Sequence, residues 1–147
     1  MNLELLFSAA GVLAMVGWLV LLASPFIPEW SDKIAGRIIP IALSIGYVVL
    51  SVFFSSEGDG GFGSLADVAQ LFSHQEALLA GWVHFLAFDL FVGAWICKTA
   101  RQEQLSFWLV IPCLPLTFLF GPAGFLAFSL ARFLGRASSG LIKAPSI

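Results

Sequence analysis

Charge is scarce in this chain. Of 147 residues, 7 are Lys or Arg and 9 are Asp or Glu, so 11% of the sequence is charged, against about 25% in an ordinary soluble domain. So little polar surface cannot cover a water-soluble globule, and the mean hydropathy of +0.96 points to a bilayer as the solvent. The net charge is −2 and no cluster of Lys or Arg occurs, which argues against nucleic acid or a strongly anionic surface as the main partner. Cysteine is nearly absent as well. Cys97 and Cys113 can build neither a disulfide framework nor a CxxC metal site, and both are read as buried free thiols. Histidine is confined to His74 and His84. A set of His74, Glu76 and His84 spans too much helix axis for one ion, so no metal site is expected. A single Tyr stands against 15 Phe and 5 Trp, a mixture suited to lipid-facing and bundle-packing surface.

The opening residues, Met1-Asn2-Leu3-Glu4-Leu5-Leu6, have neither the basic start of a signal peptide nor the Arg- and Ser-rich look of a transit peptide. The first apolar run is therefore expected to stay in the mature protein, and the bacterial inner membrane is the expected location.

What the sequence does contain is four apolar runs. At about 20 residues per span, a chain of this length holds four spans, short connections and one domain. The runs cover residues 5–23, 34–54, 77–97 and 107–133. The first closes at Ser24-Pro25-Phe26-Ile27-Pro28, where two prolines oppose a continuing helix. Residues 29–33 read as a polar connector, and Arg37 sits near one end of the second run, where it can snorkel to the headgroups. Between the second and third runs lies a glycine-rich acidic loop containing Glu57-Gly58-Asp59-Gly60-Gly61. It is followed by Ser64 as a candidate cap for a short interfacial helix over residues 65–72. Ser73 and Glu76 have the spacing of a capping box at the head of the third run. Pro112, Pro115 and Gly121-Pro122-Ala123-Gly124 interrupt the fourth. The fold expected is an all-α integral membrane protein, a four-transmembrane-helix bundle with a kinked or broken last helix.

Orientation by the positive-inside rule is balanced. Lys33, Arg37, Lys98 and Arg101 fall on one side, and Arg132, Arg136 and Lys143 on the other if the last segment crosses. A re-entrant last segment, turning back at residues 121–124, would place all seven on one side and is kept as the second topology.

Chemistry is concentrated in the third run, at Trp82-Val83-His84-Phe85-Leu86-Ala87-Phe88-Asp89. An Asp at the centre of a spanning helix costs about 2.5 to 3.5 kcal/mol on insertion, so Asp89 is a functional candidate by default. His84 and Asp89 are separated by about 140° around a helix and about 7.5 Å along it. They cannot chelate one metal or reliably bond each other, yet both can border one cavity. The structural alternative is that each bonds a neighbouring helix, Asp89 through Ser44, Tyr47 or Thr117. General acid/base chemistry on an apolar substrate fits the pair, since carboxyl and imidazole groups withdrawn from water can exchange protons near neutral pH. Trp82, Phe88, Gly121, Pro122, Gly124 and Arg101 complete the candidate substrate-binding set, the glycines and proline because backbone freed at membrane depth is tolerated where it lines a cavity or is buried.

Residues 80–91 resemble the W-x-H-x-L-x-x-D-L-F signature of the abscisic-acid-deficient-four-like family, typified by plant neoxanthin synthase. Trp18 to Pro25 resembles that family's W-x-x-L-x-x-x-P ending of the first span, and Phe120-Gly121-Pro122-Ala123-Gly124 resembles its Pro-x-Gly element. The resemblance implies a four-span protein acting on a carotenoid, by redox-neutral opening of an epoxide to an allene. Such an isomerisation needs an acid for the epoxide oxygen and a base for a polyene proton, and no external cofactor. Carried over, His84 and Asp89 would be that pair. The short connector at residues 98–106 departs from the plant pattern, where Arg101 and Ser106 have counterparts but a histidine does not, so the chain looks like a bacterial member.

Three functions therefore stand open. One is an isomerase acting on a carotenoid or another apolar lipid. The second is a non-catalytic pigment-binding or accessory subunit of a membrane (photosynthetic) complex, and the third a proton-coupled transporter with Asp89 at its midplane. Membrane lipids are expected partners in each, with a homo-oligomer or a membrane-complex partner as further options.

Overall fold

The computed structural model describes residues 2–54 and 60–142, and every regular element among them is helical. Glu57, Gly58 and Asp59 of the acidic loop, and Lys143, lie outside the described residues. Helix α1 spans Leu3–Leu22, α2 Pro28–Lys33, a π-helical turn Ile34–Ile38, α3 Ile39–Phe54, α4 Leu65–Leu71, α5 Gln75–Gln102 and α6 Phe107–Ile142. Four stretches, Leu3–Leu22, Pro28–Phe53, Gln75–Gln102 and Phe107–Gly135, are long and apolar enough to cross a membrane. The chain is an integral membrane protein.

Local chemistry explains most of the boundaries. Asn2 caps α1, its side chain accepting from the Leu5 N–H at 3.2 Å. Pro28 does not terminate structure but opens α2 at the first helical position, where a missing N–H costs nothing. Residues 29–33, expected as a connector, are therefore helical and run through the π turn into α3. Pro40 accounts for that turn. A proline ring collides with the carbonyl four residues back and offers it no donor, and widening the preceding turn relieves the conflict. Ser64 caps α4, accepting from the Asp67 N–H at 3.1 Å. The capping box at Ser73 and Glu76 does not form. The Ser73 hydroxyl donates to the Gln70 carbonyl at 2.6 Å instead, finishing α4, and His74 takes the N-cap of α5.

Helix α5 is the centre of the bundle, packed against α1, α3 and α6. Lipid tails are as apolar as leucine, so helices in a bilayer associate by close packing, and small residues set how close they come. Leu90 presses on Gly17 of α1, Trp18 and Leu21 press on Gly93 of α5, and Ala94 lies 3.6 Å from the position a Gly36 Cβ would take. At one end of the bundle, Arg101 of α5 pairs with Asp32 of α2 above the buried Ser24, Ser31 and Cys97. Cys97 and Cys113 are both buried free thiols.

Helix α6 contains Pro112, Pro115 and Pro122, and one residue within it, Phe120, has non-helical φ −145° and ψ 62°. The Thr117 hydroxyl, fully buried, donates to the Cys113 carbonyl at 2.7 Å, a back-bond that satisfies a side chain with no other polar neighbour in that turn.

Two glycine substitutions separate packing from propensity. A Cβ at Gly93 would lie 2.9 Å from Trp18 and Leu21 atoms, whereas one at Gly11 meets nothing within 4 Å. Gly93→Val is expected to destabilise the detergent-solubilised protein by about 1–3 kcal/mol through overpacking. Gly11→Ala should leave the stability unchanged or raise it by up to about 1 kcal/mol. Thermal unfolding followed by circular dichroism reads both.

Candidate functional site

The two ionisable residues at the middle of α5 sit on different faces of the helix. Asp89 is 7% exposed and faces α6, where its carboxylate lies so close to Gly121 that a Cβ on residue 121 would collide with it. Its Oδ2 is buried and finds no hydrogen-bond partner among the described residues. Ser44 and Tyr47, considered as partners, are on the far side with α3, while Thr117 meets Gly124 rather than Asp89. Glycine at 121 and 124 is therefore a matter of space. Asp89 and Thr117 occupy the volumes that side chains there would need. Pro122 lies between the two, with no N–H of its own to be satisfied.

His84 is exposed and faces α3. Its ring stacks on Phe88 with centroids 4.6 Å apart and meets Tyr47 edge-on at 5.2 Å. Phe88 then continues into a groove of about 370 Å³ between α3 and α5, lined by Gly36, Arg37, Pro40, Ile41, Ser44, Ala87, Phe88 and Phe91. The groove opens outward, toward lipid, since Phe88, Phe91 and Ile41 are 56%, 52% and 58% exposed. Its walls are apolar, with Arg37 at one end, Ser44 part-way along and the His84–Tyr47 pair beyond the other end. From residue 37 to residue 47 the rise is about 15 Å, a length suited to a rod-like apolar molecule with a polar group near its end.

The remaining candidates divide between other places. Trp82 lines a second groove of about 590 Å³ with Leu3, Glu4, Phe7, Phe72 and Phe85, where it stacks with Phe85 at 5.6 Å and meets Phe7 at 5.7 Å. Arg101 is engaged with Asp32 at the opposite end of α5. Neither of these two grooves has His84 or Asp89 in its lining, and the two residues face different helices. No group of three His, Cys, Asp or Glu side chains able to hold a metal occurs among them either.

Tyr47, Arg37, Ser44 and Phe91 were not marked as site residues by the sequence. The one local signal for them was Pro40 three residues after Arg37 inside an apolar run, and π-helical turns of the kind it causes are frequent at functional sites.

A family model described as ABA DEFICIENT 4-like matches residues 5–128, which takes in both faces of α5, the groove and the Gly121 contact. The chain belongs to the ABA DEFICIENT 4-like family. No curated protein and no solved structure matches it. Within this family member, the motif residues Trp82, His84 and Asp89 therefore point to three separate surroundings: the second groove, the α3 face and the α6 contact.

The Asp89 contact makes a specific prediction. Gly121→Ala should destabilise the protein by about 1–3 kcal/mol by driving a methyl group into the carboxylate, and Asp89→Ala in the same chain should recover part of that loss. A coupling of about 0.5–3 kcal/mol between the two substitutions is expected from residues in contact, read as the difference between double-variant and summed single-variant unfolding midpoints.

Proposed function

We propose that the protein binds a carotenoid-type polyene in the groove between α3 and α5 and isomerises an epoxide on it, with His84 as the group that exchanges protons with the substrate. The observation that carries this reading is the position of His84. It is an imidazole exposed at membrane depth, held between Phe88 and Tyr47 at the end of an apolar, aromatic-walled groove. Membership of the family supports the substrate class through the resemblance of its motifs to those of neoxanthin synthase, and the residue chemistry supports the reaction.

The reaction balances with one histidine. As the epoxide C–O bond next to the polyene opens, the oxygen takes a proton from the imidazolium and remains as an alcohol. The neutral imidazole then removes a proton from the polyene carbon beside the electron-poor centre, the electron pair closing the allene. No electrons are gained or lost overall, and the histidine ends in its starting state. Phe88 and Phe91 supply flat apolar surface to a conjugated chain, and Tyr47 offers a hydroxyl on the same face. Asp89, packed against Gly121, positions α6 behind α5 in this scheme rather than meeting the substrate.

Because the groove is open to lipid rather than enclosed, pigment binding without turnover is the second reading. Protein purified in mild detergent and incubated with an epoxycarotenoid separates the two. Conversion by the wild type, lost by about 100-fold or more in His84→Ala as befits a general acid/base group, supports the isomerase. Asp89→Asn should still convert, with a lowered unfolding midpoint. Pigment that co-purifies and never changes leaves the binding function alone, and no pigment bound by any variant, with Phe88→Ala equal to wild type, removes the carotenoid reading. Loss of conversion in a well-folded Asp89→Asn that still binds pigment would return Asp89 to the chemistry.

A further inference from the structure

We infer that the segment after α5 enters and leaves the membrane on the same face, turning back at Phe120, and that this face carries the Lys and Arg residues of the described segments and lies against the anionic headgroups of the cytoplasmic leaflet. The inference is independent of what occupies the groove.

Contacts along α5 show the reversal. Leaving the turn after α5, the chain reaches Gly121 opposite Asp89, about 14 residues up each helix. Beyond Gly121 the partners run in the other direction. Trp95 meets Phe125 and Phe128 with centroids at 5.3 and 5.7 Å, and Arg132 reaches Glu103, at the head of that same turn, with a Nε to Oε2 distance of 2.9 Å. A straight helix from residue 107 would put residue 132 about 38 Å away from its start, so this ion pair requires the chain to come back. Gly124 packs on Thr117 closely enough that a Cβ would lie 2.6 Å from the Thr117 Cα. Seven residues of uninterrupted helix would hold the two about 10 Å apart. The one non-helical residue between them is Phe120.

Length agrees. Residues 107–119 rise about 20 Å as helix, short of the roughly 30 Å hydrocarbon thickness, so the turn lies inside the bilayer. Backbone that leaves helical geometry at that depth needs protein around it, and here Gly121 and Gly124 are buried against Asp89 and Thr117 while Phe120, Pro122 and Ala123 face outward.

The charge distribution then becomes one-sided. With the reversal, Lys33, Arg37, Lys98, Arg101, Arg132 and Arg136 all belong to the face that carries the α1–α2 and α5–α6 connections. The described segments reaching the other face, residues 2–4 and 60–76, contain no Lys or Arg and three acidic residues, Glu4, Asp67 and Glu76. An excess of Lys and Arg in short loops marks the cytoplasmic side, where anionic lipids attract them.

Single cysteines introduced into the full chain at Gly63, Ser106 and Gly135 test this, since the native thiols are buried. In bacterial cells treated with a membrane-impermeant maleimide, Gly63→Cys should label in intact cells, and Ser106→Cys and Gly135→Cys only after the cells are opened. Labelling of Gly135→Cys together with Gly63→Cys in intact cells would overturn the re-entrant segment. Labelling of Ser106→Cys and Gly135→Cys in intact cells, with Gly63→Cys protected, would overturn the orientation. Charge exchange gives a second measurement. Glu103→Arg and Arg132→Glu should each lower the unfolding midpoint, and the double exchange should recover most of the loss, whereas simply additive losses would contradict the pairing.

Discussion

Close approach of backbones around α5 is the constraint on which the rest of this molecule depends. A bilayer gives helices no reward for hiding apolar surface, so contact must come from fit and from polar groups that find partners. Here the fit is made by pairs of one large and one small residue: Leu90 on Gly17, Trp18 on Gly93, Asp89 on Gly121. Leu90 and Gly93 share the face of α5 toward α1, and Asp89 is on the face toward α6. Together they hold α1 and α6 against it, while α3, also closely packed on α5, leaves a groove where Phe88 and Phe91 turn outward.

That division also separates two kinds of polar residue in the membrane. Asp89 is enclosed, its neighbours chosen for smallness, and what it touches is backbone. His84 is presented outward on aromatic rings. An enclosed carboxylate packed on Gly121, next to the non-helical Phe120, suits the holding of architecture, and an outward imidazole beside an apolar trough suits encounter with something dissolved in the lipid. The ion pairs Arg101–Asp32 and Arg132–Glu103 serve a third purpose, tying the polar ends of the segments together where headgroups begin.

Much of this was legible in the residues themselves, for reasons that differ by element. The membrane-embedded runs stood out because long apolar stretches in a chain with so few charges belong in a bilayer. Ser64 was readable as a cap because a Ser before an apolar-periodic run supplies the acceptor that the first N–H groups lack, as it does for Asp67. Ser73 was not, because the carbonyl of Gln70 is nearer than the N–H groups it was expected to cap. The helix at Pro28–Lys33 was hidden by its polar composition, which looks the same in a connector and in a helix lying at the membrane edge. The separation of His84 from Asp89 was present in the arithmetic of a five-residue spacing, but which neighbour each would face depends on the order of helices around α5, a non-local property. The groove was out of reach for the same reason, since its residues come from two segments about fifty positions apart.

A groove that opens sideways into lipid has a kinetic consequence. A molecule reaching Phe88 and Phe91 never has to leave the hydrocarbon, so the encounter takes place in two dimensions, and the quantity that saturates the site is the mole fraction of that molecule in the bilayer. Diluting a vesicle suspension tenfold in buffer would leave occupancy unchanged, while diluting the same ligand tenfold with added phospholipid would empty the site.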